Sequence, residues 1–141
     1  MQVLRQHAGR DYPKECCGIL IGCFEPERTL VTRVLQTENQ RRLRARDRYE
    51  ISPQDLLRAM REATDSDEDV VGYYHSHPDR LALPSSTDTS TAWPGVSYVI
   101  VAVTEGEAGE VRSWRCVEGT LLEETVTEGT VEGSLWGRKN G

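Results

Sequence analysis

Histidine is scarce in this chain, paired cysteine is absent, and no apolar run approaches the length of a membrane span. Each gap removes a class of reading. Without a long apolar segment, a membrane-spanning helix is excluded, and the start, MQVLRQHAGRDYPKE, lacks the apolar core of a signal peptide, so the expectation is a cytoplasmic protein without membrane contact. The four cysteines, Cys16, Cys17, Cys23 and Cys116, form no C-x-x-C pair, which argues against a cysteine zinc site and for buried thiols in a reducing compartment. Adjacent Cys16 and Cys17 point to opposite faces of an extended segment, so only one can look into a site. There is no excess of basic residues either. Seventeen Lys and Arg against 23 Asp and Glu give a net charge of −6, so no overall field attracts nucleic acid or anionic lipid. The 141 residues suffice for one domain with one proper core.

What is there concentrates in VVGYYHSHPDRLALPSSTD, residues Val70 to Asp88, which holds two of the three histidines. Val70 to His75 is apolar and β-prone, and on a strand residues two apart share a face. His75 and His77 therefore aim at one point, with Ser76 on the other side, and Pro78 ends the strand because it has no N–H for a ladder. The next ten residues loop back so that Asp88 can add a carboxylate. Two imidazoles and a carboxylate leave a zinc ion an open fourth position, as in catalytic sites. A second reading of part of this stretch is purely structural: Ser85-x-x-Asp88 fits a helix N-cap in which serine caps and the acid reaches back.

The string His75-Ser76-His77-Pro78, six further residues, then Ser85-Ser86-Thr87-Asp88 resembles the signature of the JAB1/MPN/Mov34, or JAMM, metalloproteases. That signature also needs an upstream glutamate before a Cys-Gly and an apolar strand. Pro13-Lys14-Glu15-Cys16-Cys17-Gly18-Ile19-Leu20-Ile21-Gly22 is similar to that element. By order of elements the resemblance covers residues 1–128. It implies that His75, His77 and Asp88 bind zinc, that Glu15 is the general base, and that Ser85 helps hold the oxyanion. It also implies cleavage after the C-terminal Gly-Gly of a ubiquitin-like or sulfur-carrier protein, releasing a lysine-linked protein or a small adduct such as cysteine, with the tail adding as an edge strand. The chain lacks the long insertions of larger eukaryotic members, so the small prokaryotic type is expected.

Along the chain, Met1 to Tyr12 reads as a first helix with His7 on its surface. Gly18 to Phe24 and Thr29 to Gln36 read as strands joined by Glu25-Pro26-Glu27-Arg28 into a hairpin. Arg41 to Arg48 is a basic run, read either as a solvated loop or as an electrostatic contact for an acidic partner. Tyr49 to Ile51 can be a short strand. Ser52-Pro53 starts a helix from Gln54 to about Thr64, with Leu56, Leu57, Met60 and Ala63 as its buried stripe. Ser86 to Ala92 can form a short helix, after which Trp93 lines a substrate groove or anchors the core. Ser97 to Val103, Glu110 to Val117 and Leu121 to Thr127 read as strands. Residues 129–141, GTVEGSLWGRKNG, have no period and are expected to be a flexible tail.

Strands mixed with two substantial helices give an α/β single-domain fold, a mixed β-sheet flanked by helices. The resemblance implies the JAB1/MPN fold, which is similar to that of the cytidine deaminases. The deaminase activity itself is not indicated, because the H-x-E and P-C-x-x-C zinc signature is missing. Two rivals belong to other classes. A zinc phosphoesterase or amidohydrolase draws on more histidines than His7 can supply. A non-catalytic module that binds a ubiquitin-like tail is the alternative function, and such members usually lose ligands that this sequence keeps.

Overall fold

The computed structural model describes residues 1–128 and the backbone of residues 136–139. Its elements follow the order α1 (Gln2–Asp11), β1 (Cys17–Phe24), β2 (Arg28–Thr37), α2 (Pro53–Asp65), β3 (Asp69–Pro78), α3 (Ser86–Thr91), β4 (Ser97–Thr104), β5 (Glu107–Val117), β6 (Thr120–Thr127) and β7 (Trp136–Lys139). This is the expected α/β arrangement, a mixed sheet with flanking helices. β3 and β4 run parallel and every other pair is antiparallel. The strand order β1-β2-β7-β6-β5-β4-β3 closes on itself because β7 pairs with both β2 and β6. The expectation of a structureless tail therefore does not hold for Trp136–Lys139, whose backbone groups find partners on both neighbouring strands; the rest of the tail, residues 129–135 and 140–141, lies outside the described residues.

β3 is the strand that matters for function, and it is held on both sides. His75 lies opposite Cys17 of β1 and Ile100 of β4, and His77 lies opposite Ala102. A strand with neighbours on each edge cannot slip register without turning its buried side chains out, so the two histidines keep a common face. The strand extends three residues beyond His75 to include Pro78 as its last member.

Alternate residues of β1 feed two cores. Leu20 packs with Leu4 and Ala8 of α1 and with Val31, Val71, Tyr74, Val99, Val101 and Val103. Ile19 and Ile21 pack with Ala59 and Ala63 of α2, flanked by Leu35, Ile51, Leu56, Val70 and Tyr73. The buried stripe of α2 therefore differs from the expected one. Leu57 and Met60 are about half exposed, at 48% and 52%, while Ala59 and Ala63 are buried. Small residues at the contact let the helix backbone approach the sheet closely, and the larger side chains are left on its flank. Ser52 caps α2 as expected, its side chain accepting from the Asp55 N–H at 3.0 Å.

His7 is buried, not on the surface as its sequence context suggested. It shares the inner face of α1 with Leu4 and Ala8, and both ring nitrogens have partners: Nδ1 with the Tyr74 hydroxyl at 2.7 Å and Nε2 with Asp11 at 3.2 Å. A polar side chain is tolerated there because it is fully satisfied. Tyr49–Ile51 is likewise not a strand. Glu50 bonds to Asn39 and Gln40 instead of joining a ladder.

Tyr74 packs against the face of β1 at Gly18, where a methyl group would overlap the tyrosine ring. Gly18→Ala should displace that ring from His7 and cost about 1–3 kcal/mol, as overpacking of a filled core does. A urea midpoint lowered without a change in m checks this.

Candidate metal centre and active site

At the end of β3, His75, His77 and Asp88 converge. The two Nε2 atoms are 3.2 Å apart, and each is 3.2 Å from Oδ2 of Asp88. All three residues are largely withdrawn from solvent, with His75 and His77 1% and 2% exposed. The His77 Nδ1–H donates to the Leu81 carbonyl at 2.8 Å, so in the neutral ring Nε2 carries a lone pair. Its contact with the Asp88 carboxylate is then acceptor against acceptor, which a cation between them reconciles. Ligand atoms around a tetrahedral ion at bonds of 2.0–2.1 Å stand about 3.3 Å apart. The observed triangle matches that spacing closely, and the donor set of two imidazoles and a carboxylate fits a metal ion.

Asp88 is set in place by the N-cap of α3. Ser85 Oγ accepts from the Asp88 N–H at 3.0 Å, and Oδ2 of Asp88 accepts from the Ser85 N–H at 2.9 Å, a complete capping box. The two readings of Ser85 and Asp88 in the sequence are therefore one arrangement, since the oxygen that closes the cap is the one facing the imidazoles. Burial works against the Asp88 charge, but His75, His77 and the Ser85 amide overcome it and hold the carboxyl well below its ordinary range. Burial lowers the His75 pKa despite Asp88 nearby, so without metal the contact joins a neutral ring to a carboxylate. The Nδ1 of His75 is buried without a hydrogen-bond partner among the described residues. Its ring is held instead by Tyr49, stacked at 4.5 Å between centroids and 20° between planes.

Glu15 stands two residues before β1 and is 2% exposed. Glu15 and Asp88 line one cavity of about 400 Å³, together with Tyr49, Leu56, Tyr73, Trp93 and Tyr98. Trp93, 72% exposed, belongs to that cavity wall and not to the core. The Arg80 guanidinium bonds Oε2 of Glu15 at 2.5 Å. Burial nevertheless pushes the Glu15 carboxyl up from 4.5 to about 8, with Arg80 opposing and Asp88 and Asp47 reinforcing the shift. The four cysteines are free thiols, and burial raises Cys16 to about 12 and Cys17 to about 11, so neither is a thiolate at neutral pH.

Sequence reasoning missed Tyr49 and Arg80. The sequence around Tyr49 can form a short strand, and nothing in it marks a ring that stacks on His75. Arg80 pairs with a residue 65 positions away, a relation that no local spacing carries. The basic run Arg41–Arg48 is a loop, partly engaged with acids: Arg44 bonds Asp47, and Arg46 reaches Asp79.

The family described as prokaryotic homologs of the JAB domain matches residues 1–117. A CysO-cysteine peptidase of Mycobacterium tuberculosis is 36% identical over 121 residues, covering 85% of this chain and 80% of that protein. A desampylase of Haloferax volcanii is 35% identical over 97 residues, 68% of each chain. A solved structure of a protein from Desulfitobacterium hafniense superposes with a TM-score of 0.74 at 25% identity, covering 88% of this chain and 84% of that one.

Because the Glu15 pKa is raised on folding, its contribution to stability is complete below pH 4.5 and is lost as pH rises through about 8. Glu15→Gln should therefore gain on the wild type between those values in metal-free protein. The gain at pH 9 should be on the order of 2–4 kcal/mol, absent at pH 4. Urea unfolding across that range checks it.

Proposed function

Since the chain belongs to the family of prokaryotic homologs of the JAB domain, we propose that it is a zinc-dependent hydrolase cleaving a peptide or isopeptide bond after the C-terminal Gly-Gly of a ubiquitin-like or sulfur-carrier protein. The observation that carries this reading is the 3.2 Å triangle of His75, His77 and Asp88 at the edge of a cavity shared with a buried glutamate. Relatives that are a CysO-cysteine peptidase and a desampylase support the substrate class.

In this reading His75, His77 and Asp88 hold the ion. Zinc there would supply Lewis acidity and a nucleophilic water at neutral pH. Oε2 of Glu15 is engaged by Arg80, and Oε1 accepts no hydrogen bond from the described residues. That free oxygen takes a proton from the attacking water and returns it to the leaving amine, as base and then acid. The Ser85 oxygen already accepts from Asp88, so its hydroxyl proton is available to donate to the carbonyl oxygen as charge develops there. One such donor is commonly worth about 3 kcal/mol. The cavity has aromatic walls, Tyr49, Tyr73, Trp93 and Tyr98, and in this reading it takes the Gly-Gly tail.

The test is cleavage of the cell's own ubiquitin-like proteins, extended beyond the Gly-Gly by a peptide or by cysteine, followed by mass spectrometry. Zinc-loaded protein should cleave and chelated protein should not. Glu15→Ala should bind one zinc yet lose about 10²–10⁴-fold in rate, the usual share of a general base. Zinc bound without cleavage of any such protein would reject the substrate class, and failure to bind zinc would reject the hydrolase.

A further inference from the structure

Both ends of the Glu15–Arg80 contact are built. The Glu15 N–H donates to the Ala45 carbonyl at 2.6 Å, its own carbonyl accepts from Asn39 at 3.0 Å, and the next amide, of Cys16, donates to Ser76 Oγ at 2.8 Å. On the other side, Arg80 sits between two pinned residues. Asp79, at φ 54°, donates its N–H to Val103, and its carboxylate accepts from the Glu105 amide and the Tyr12 hydroxyl at 2.8 and 2.6 Å. The Leu81 carbonyl is taken by His77. The backbone leading to the guanidinium therefore has little freedom, and the side chain reaches back to a carboxylate that is itself fixed at its root.

The contact has a particular form. Arg80 engages one oxygen of Glu15 through Nη2, not both in the bidentate fork that arginine and carboxylate commonly make. A bidentate clamp would occupy both oxygens. The end-on contact takes Oε2 and leaves Oε1 without a hydrogen bond among the described residues. A buried carboxylate also needs a counter-charge to stay ionised. Of the charged groups facing Glu15, Asp88 and Asp47 oppose ionisation and Arg80 favours it.

We propose that Arg80 is a positioning residue for Glu15: by holding Oε2 with a single charge-assisted bond it aims Oε1 at the cavity and supplies the counter-charge that the base needs in a buried setting. The inference rests on the reading of Glu15 as general base. Arg80 itself touches neither substrate nor metal ligand in this role.

A double-mutant cycle over Arg80→Ala, Glu15→Gln and the pair tests it, with Arg80→Lys as the conservative variant, on zinc-loaded protein. Arg80→Ala should lower kcat by about 10–100-fold with KM little changed, the size of effect seen for partners that orient a site's groups. Arg80→Lys should recover part of that loss. On the Glu15→Gln background, followed over hours, Arg80→Ala should change the remaining rate less than about twofold, because the group it positions is gone. The same cycle read by urea midpoints of zinc-free protein should also be non-additive. Equal losses in both backgrounds would make Arg80 a merely structural residue and overturn the proposal. A wild-type rate in Arg80→Ala would overturn it too, and a faster one would identify the contact as a lock. Full activity in Glu15→Gln alone would instead reject Glu15 as base.

Discussion

A single carboxylate oxygen joins the two parts of the site. Oδ2 of Asp88 accepts from the Ser85 amide and faces both imidazoles at 3.2 Å. The first contact fixes the start of α3, and the other two fix where the helix sits against the end of β3. If the oxygen moved to suit the helix alone, the ligand triangle would open; if it moved to suit the histidines alone, the cap would break. The loop between Pro78 and Ser85 is long enough to bring the two elements together, but it does not determine the distance between them. The capping box does. A structural motif worth about 1 kcal/mol by itself is here also what sets the dimensions of the His75, His77 and Asp88 cluster.

Around that oxygen, two carboxyls in one cavity are driven in opposite directions. Asp88 is held far below its ordinary range by imidazoles and an amide, whereas Glu15 is lifted to about 8 by burial. Divergence of this kind separates a group that stays charged to bind a cation from one that can exchange a proton near neutrality. Positive charge on the ligand triangle would favour the carboxylate form of Glu15, and Arg80 acts in the same direction from the opposite side. The buried acid is thus a liability to the fold, of the kind that the proposed chemistry would turn to use.

How much of this could be read beforehand follows from how local each feature is. Period-two spacing placed His75 and His77 on one face, and a strand with neighbours on both edges kept them there. The capping pattern placed Asp88, because Ser-x-x-Asp acts within four residues. Both are short-range rules, and both hold. On α2 the expected stripe holds at Leu56 and Ala63 and fails at Leu57 and Met60, because close helix–sheet approach selects Ala59 over the larger side chains. His7 was misread because its partners, Tyr74 and Asp11, satisfy it only once α1 docks on the sheet. Arg80 and Tyr49 depend on contacts across 65 and 26 positions, and no periodicity reports those. Sequence pattern therefore located the cluster of His75, His77 and Asp88 and left Tyr49 and Arg80 beside it hidden.

The supporting residues share a dependence that the ligands do not. His75 is fixed by ladders on two sides and His77 by the β4 ladder on one, so the loss of one bond is spread over the sheet. The segment from Asn39 to Ile51 has no strand or helix, yet it supplies the carbonyl that holds the Glu15 amide and the ring that stacks on His75. Gln40 and Glu50 bond across it and Arg44 bonds Asp47 within it, but one amide side chain ties the most of it together. Asn39 donates to the carbonyls of Glu15 and Arg48 and accepts from the amides of Arg41 and Glu50, using both donor hydrogens and both acceptor sites. No hydrogen-bonding capacity is left over, and the bonds run to both arms of the loop and to Glu15. Glu15 and the ring stacked on His75 are thereby referred to the same small group. Precision in this half of the site is concentrated at Asn39, whereas precision in the other half is distributed over β1, β3 and β4.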